Sequence, residues 1–251
     1  MKIPIALQLY SVREDCAKDF LGTIKKVAEM GYEGVEFAGF HNLDAKAIRK
    51  CLDENGLKAA GSHTSMDSMN DANFAATVEF HKALGCENLV IPWIPEEKRN
   101  TPEACAATCK ELAALVEKLK PLGMRTGFHA HQGDMGPLSG GKSAWTLLGE
   151  GTPKDFIMQY DTANGVAGGA DAVQPILDFP GRGITVHLKE YKGGHGLAVV
   201  GEGDIPWAKV FDACEKVAGT QWYIVEHEDD PVNPAMKAVA MCVANLRKMG
   251  K

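Results

Sequence analysis

The chain has 251 residues, a formal net charge of −6 and 24% charged residues. That length can bury a large core and suits one (β/α)8 barrel, so a single domain over residues 1–251 is expected, while an acidic balance without clustered Lys and Arg excludes a nucleic-acid-binding surface. No run approaches the roughly 18 apolar residues of a membrane span, Met1 to Tyr10 lacks a secretory-signal pattern, and seven cysteines without a CxxC pair point to reduced thiols in a soluble, cytoplasmic protein.

Apolar runs that read as buried strands begin near Ile5, Gly34, Leu57, Asn88, Arg125, Phe156, Ile184 and Trp222. Helical patterns lie between and after them: Phe20 to Met30, Asp44 to Glu54, Asn73 to Leu84, Pro102 to Leu122, Ser143 to Leu148, Ala172 to Leu177, Trp207 to Val217 and Ala235 to Met249. Thr101-Pro102 and Asn233-Pro234 offer a capping side chain followed by proline at the first helical position. Gly31, Gly56, Gly85 and Gly123 suit helix exits in the left-handed region. Alternating βαβα order implies a parallel sheet, and a count of eight with polar residues at strand ends favours closure into an α/β fold of the TIM-barrel type.

Four of these strands stop on a residue that can hold a divalent metal: Phe128-His129-Ala130-His131, Met158-Gln159-Tyr160-Asp161, Ile184-Thr185-Val186-His187 and Tyr223-Ile224-Val225-Glu226. Side chains at the carboxyl ends of successive barrel strands converge on one mouth. His187 and Glu226 end apolar strands, where an ionisable group must be paired or metal-bound to offset desolvation. His129 and His131 are two apart, so both face the mouth or both face away; either could be the fifth-strand ligand. Asp161 alone could equally be a helix cap. Two imidazoles and two carboxylates suit one divalent ion, Mn, Zn, Co, Fe or Mg, better than Ca.

Leu7-Gln8-Leu9-Tyr10-Ser11-Val12-Arg13, Gly31-Tyr32-Glu33-Gly34-Val35-Glu36, Phe128-His129-Ala130-His131, Asp161-Thr162 with Ala167-Gly168-Gly169-Ala170-Asp171, Gly181 to Glu190, Val200 to Trp207 and Trp222 to Glu226 follow one another in an order that resembles the sugar phosphate isomerase/epimerase family of xylose isomerase-like TIM barrels. The resemblance implies one divalent metal held from strands five to eight and a keto- or aldo-sugar, or a related polyol, as substrate. Asp161, His187 and Glu226 fall on the ligand positions of strands six, seven and eight. Many epimerases of this kind carry a Glu on strand five, whereas this chain has His129 and His131, as the branch with a His-x-His fifth strand does.

Around that centre Glu36, His63, Trp93 and Lys189 lie at or beyond other strand ends, with Asn164 and His195 completing the expected substrate contacts. Lys192-Gly193-Gly194-His195-Gly196 reads as a loop that could cover the mouth. The expected chemistry is removal of a C–H proton beside a carbonyl polarised by the metal, through an enediolate. Glu226 would be the base, His131 or His63 would return the proton, and Lys189 would hold the enolate oxygen. The product is an isomer or epimer. Loss of a β-leaving group from the same enolate would instead give a dehydratase or a lyase of 3-keto-glycosides, and a sugar-binding subunit without catalysis is the alternative of another class; assembly as a homo-oligomer is compatible with each. Gly136-Pro137-Leu138-Ser139-Gly140-Gly141-Lys142-Ser143 also matches a phosphate-binding loop, but Gln132 to Met135 separate it from the fifth strand and Phe156 to Asp161 is an indifferent partner for holding Mg²⁺, so a nucleotide binder is the lesser alternative.

Overall fold

All eight strands expected from the sequence join one parallel sheet in the computed structural model, which describes residues 2–193, 198–228, 230 and 232–251. The strands are β1 (Ile5–Gln8), β2 (Gly34–Phe37), β3 (Lys58–His63), β4 (Asn88–Ile91), β5 (Arg125–His129), β6 (Ile157–Gln159), β7 (Thr185–Leu188) and β8 (Trp222–Val225), in the order β6-β5-β4-β3-β2-β1-β8-β7. Between β7 and β6 the ring is joined by a parallel bridge of Asp161 with His187, by His187 N–H donating to Tyr160 O at 2.8 Å, and by Met158 N–H donating to Arg182 O at 2.9 Å. The last junction of the barrel is thus made by two residues of the expected metal site.

The helices are α1 (Arg13–Lys18), α2 (Phe20–Glu29), α3 (Ala45–Glu54), α4 (Phe74–Leu84), α5 (Pro102–Leu119), α6 (Ala144–Gly151), α7 (Thr162–Ala167), α8 (Gln174–Leu177), α9 (Trp207–Ala213) and α10 (Ala235–Lys248). Side chains of Asp44 and Thr101 accept hydrogen bonds from the first turns of α3 and α5, and Gly31, Gly56, Gly85 and Gly123 all have positive φ. Asn233 does not cap α10. Pro234 occupies that position, and Asn233 turns its amide to Asp230 instead. Short helices α1 and α7 arise where the sequence shows no helical period, because six residues are too few to display one. Among the described residues no helix is long and apolar enough to cross a membrane, and all seven cysteines are free thiols.

Two shells of packing follow from strand alternation. Ile5, Leu7, Val35, Phe128 and Val186 face outward into the large core under the helices, whereas Ala6, Ala60 and Ile224 pack together inside the ring. One step of two further along the strands, the inward positions become polar: Gln8, Glu36, His129, Gln159, His187 and Glu226, each buried. The barrel's lower interior is a small apolar plug, and its upper interior is a layer of hydrogen-bonding groups.

Candidate metal centre

His129, Asp161, His187 and Glu226 each place one donor atom within 4.8 Å of all the others. The four come from the carboxyl ends of β5, β6, β7 and β8, so the convergence expected at a barrel mouth is met. His187 Nδ1 lies 2.9 Å from Glu226 Oε2 and 3.8 Å from Asp161 Oδ2. Asp161 has two roles. Its Oδ1 accepts from Asn164 N–H at 2.7 Å and caps α7, while its Oδ2, fully buried, accepts no hydrogen bond. His187 Nδ1 is likewise buried without an aligned partner. A buried carboxylate oxygen and a buried ring nitrogen left without hydrogen bonds, facing each other beside a second carboxylate, are donors that a divalent cation fits.

A second layer holds these donors in place. Glu36 Oε2 is 2.6 Å from His187 Nε2, and the carboxylate also accepts from Gln8 Nε2 at 2.7 Å and from Gln159 Nε2 at 2.8 Å. Gln159 Oε1 faces His129 Nδ1 at 3.0 Å and His63 Nε2 at 3.1 Å, and its amide nitrogen also donates to Thr185 Oγ1 at 2.8 Å. With Nδ1 of His129 and Nε2 of His187 occupied, the opposite ring nitrogens are free to serve as ligand atoms, the usual arrangement for metal-binding imidazoles. Space for Glu36 comes from β3: a Cβ on Gly61 would sit 2.7 Å from Glu36 Oε1. Glu36 therefore reaches sideways under the mouth to His187 instead of upward. The sequence carried a signal for this layer, since Gln8 and Gln159 are amides within otherwise apolar strands and must find partners there.

Charge in this layer is balanced internally. Burial opposes a proton on His187, but Glu36 and Glu226 outweigh it and raise its pKa to about 10. Burial alone would raise Glu226, yet Lys189 and His187 hold it well below the ordinary carboxylate range. Lys189 is desolvated too, but Glu226, Asp161 and Glu228 keep it charged. Asp161 differs: burial raises its pKa despite Lys189. Burial and the neighbouring His187 push His129 well below its usual value, and burial pushes His131 down to about 4.

Lys189 Nζ lies 3.0 Å from Glu226 Oε1 and also pairs with Glu228. His131, two residues past His129, stands over the centre with its ring centroid 4.8 Å from that of His129, and its buried Nδ1 has no partner. Trp93 is 53% exposed and meets His131 edge-on, centroids 5.5 Å apart. Two residues that sequence reasoning missed fix this pair. Arg99 stacks its guanidinium 4.8 Å from the Trp93 ring centre and pairs with buried Asp134 at 2.6 Å, and Asp134 accepts from His131 N–H at 2.7 Å. Asn164 spends its side chain on Ala130 O at 3.0 Å, so its contribution here is to the β5 and β6 ends. Glu190 was also missed. It gathers backbone N–H groups of Tyr191, Gly201 and Ile205 and the Trp207 indole, tying down both ends of the loop after β7. His195 lies outside the described residues.

The glycine-rich Gly136–Ser143 segment does not form a phosphate cradle. Lys142 Nζ is bound to both oxygens of Glu150, at 2.7 and 2.6 Å, and Ser143 caps α6 through Thr146 N–H. A short helical turn, Gln132–Asp134, separates the loop from β5.

Comparison with known proteins agrees with this architecture. An inosose dehydratase of Geobacillus kaustophilus is 23% identical over 247 aligned residues, covering 83% of this chain and 80% of that protein. A sugar phosphate isomerase/epimerase from Parabacteroides distasonis superposes with a TM-score of 0.85 at 20% identity, covering 98% of this chain and 94% of that one. An L-ribulose 3-epimerase superposes with a TM-score of 0.74 at 16% identity, with the same coverages of 98% and 94%. At such identities the two superpositions speak for the fold alone. The family model for the xylose isomerase-like TIM barrel matches residues 24–247, and the chain belongs to that family.

Proposed function

We propose that the protein is a divalent-metal-dependent enzyme that takes a proton from the carbon beside the carbonyl of a keto- or aldo-sugar or a derivative of one, as an isomerase or epimerase. The observation that carries this reading is the buried His129, Asp161, His187 and Glu226 quartet at one end of the barrel. These residues would hold the ion, which when bound supplies Lewis-acid polarisation of the carbonyl and so acidifies the neighbouring C–H.

The chain's own groups divide the remaining work. Glu226 is the base, because Lys189, 3.0 Å from its carboxylate, keeps it ionised. Lys189 remains an ammonium and donates to the oxygen on which charge develops. Burial lowers the pKa of His131 to about 4, so its imidazole is neutral near pH 7, and standing beside His129 it can exchange a proton with substrate. His63 can do the same from the other side of His129, its ring centroid 4.9 Å away. Trp93 offers an exposed face to the sugar. Glu36 and Asn164 act through His187 and Asp161, as positioning residues.

Elimination is the second reading, with loss of water or another β-leaving group from the same enolate. What favours it is that β5 ends on His129, so no second carboxylate from that strand stands opposite Glu226 to serve as the partner base of a two-face proton exchange. The Geobacillus kaustophilus relative is an inosose dehydratase.

Incubating metal-loaded protein in D₂O with a panel of keto-sugars and 3-keto-glycosides separates these. Deuterium uptake with the skeleton intact supports isomerisation or epimerisation, and loss of water or aglycone supports elimination. No exchange across the panel, or exchange that survives Asp161→Ala and Glu226→Ala, overturns both.

A further inference from the structure

Beside His63 the mouth opens into a second chamber. A cavity of about 560 Å³ lies between the loops that follow β2, β3 and β4 and the helix α4, with His63 in its wall. That imidazole is also part of the site layer, stacked 5.5 Å from His187 between ring centroids. His63 is therefore shared by the cavity wall and the surroundings of the quartet. The volume falls within the roughly 300–1,000 Å³ typical of pockets that enclose drug-sized ligands.

The lining is chemically distinctive. It includes no Lys, Arg, Asp or Glu. Its second imidazole, His81, is buried with Nδ1 2.7 Å from Thr77 O, and burial holds it below the ordinary pKa, in the neutral form. Phe40 and Phe80, centroids 4.4 Å apart and tilted by 48°, supply an aromatic wall. The polar groups at the rim are largely committed to one another: Ser65 and Ser68 share a hydrogen bond of 2.9 Å, and Thr77 Oγ1 donates to Ser68 O at 2.6 Å. A phosphate placed here would find no cation, whereas a flat apolar group would gain the aromatic wall.

We infer that this chamber is a subsite for an uncharged aryl substituent, so that the substrate is a sugar joined to an aromatic group and not a free or phosphorylated sugar. This rests on the proposed function only in placing the sugar ring at the quartet.

Calorimetric titration of the Mn²⁺-loaded protein with phenyl β-glucoside, methyl β-glucoside and glucose 6-phosphate tests it. Phenyl glucoside is expected to bind at least about tenfold more tightly than the methyl compound, equivalent to about 1.4 kcal/mol, and the phosphate no more tightly than the methyl compound. Ala76→Trp, on the exposed side of α4 where it lines the cavity, should bring the phenyl affinity down to the methyl value and leave the methyl affinity unchanged. Ser65→Trp, on the exposed loop across the cavity, repeats the test if the helix variant does not fold. Equal affinities, preference for the phosphate, indifference to both tryptophans, or no binding of either glucoside overturns the inference. Metal-dependent deuterium exchange on keto-sugars without a phenyl preference removes this inference alone. A phenyl preference, with exchange that survives Asp161→Ala and Glu226→Ala, removes the proton-abstraction reading alone.

Discussion

Replacing Asp161 by Asn should stabilise the metal-free protein and weaken the metal-bound one. Asp161 is fully buried, and only one of its oxygens is satisfied, by Asn164 N–H at 2.7 Å. Asn keeps that carbonyl oxygen and the α7 cap. The other oxygen, unpartnered and 3.8 Å from His187 Nδ1, carries a charge whose burial raises the group's pKa. Removing that charge, from a group whose pKa burial raises to about 7, stabilises the folded chain at pH 8, and for a chain of this size each kcal/mol gained raises the melting temperature by about 2–4 °C. The chelated variant at pH 8 should therefore melt higher than wild type. Losing a ligand should cost at least as much metal affinity as the 10–100-fold typical of disturbing an outer-shell partner. At a Mn²⁺ concentration about 1,000 times the wild-type Kd, binding adds about 4.1 kcal/mol to wild type, and a 100-fold weaker variant retains about 1.4 kcal/mol, so the order of melting temperatures narrows or reverses. Scanning calorimetry with EDTA and with Mn²⁺ reads both arms. A variant that is less stable than wild type in EDTA and gains the same increment from Mn²⁺ would refute the reasoning that Asp161 is a strained, waiting ligand.

Glu36→Gln should lower metal affinity by about 10–100-fold without unfolding the chain, because an amide cannot accept at once from Gln8, Gln159 and the His187 imidazole that now surround the carboxylate; titration calorimetry showing unchanged affinity would count against the second layer as the orienting device. Lys142→Ala should leave turnover and stability within about 0.5 kcal/mol of wild type, since its ammonium pairs with the half-exposed Glu150 at the surface, and no ATP-dependent thermal shift should appear in either protein. For His81 the sign of the pH effect is set by its lowered pKa: the unfolded chain takes up a proton below about 6.5 that the folded chain refuses, so its contribution is complete above that pH and is lost as pH falls. Urea midpoints at pH 8 and pH 5.5 should thus differ less in His81→Phe than in wild type.

The part of this molecule that was legible in its sequence is the part governed by period. Runs such as Asn88–Ile91 and Thr185–Leu188 announce strands because a parallel barrel strand is apolar on both faces, and ionisable residues that end such runs, His187 and Glu226, stand out against them. The same logic pointed to the cluster of His129, Asp161, His187 and Glu226, since chain order fixes which strand ends share the mouth. What it could not reach was partnership across the barrel. Glu36 lies 123 positions from Gln159 and 151 from His187, and nothing in the local sequence says that a carboxylate on β2 bends under the mouth to hold an imidazole on β7. The enabling feature is a missing side chain, Gly61, on the strand between, and a glycine in a strand reads from sequence only as a weak point. Arg99 and Asp134 escaped for a related reason. They belong to loops, where no period exists to set the background against which a functional residue would show, and their connection to His131 runs through one ion pair and one backbone hydrogen bond. Strand-end donors are therefore readable one at a time, whereas the residues that set their protonation and orientation become visible only once the ring closes; it closes here through the bridge between Asp161 and His187, two of the donors themselves.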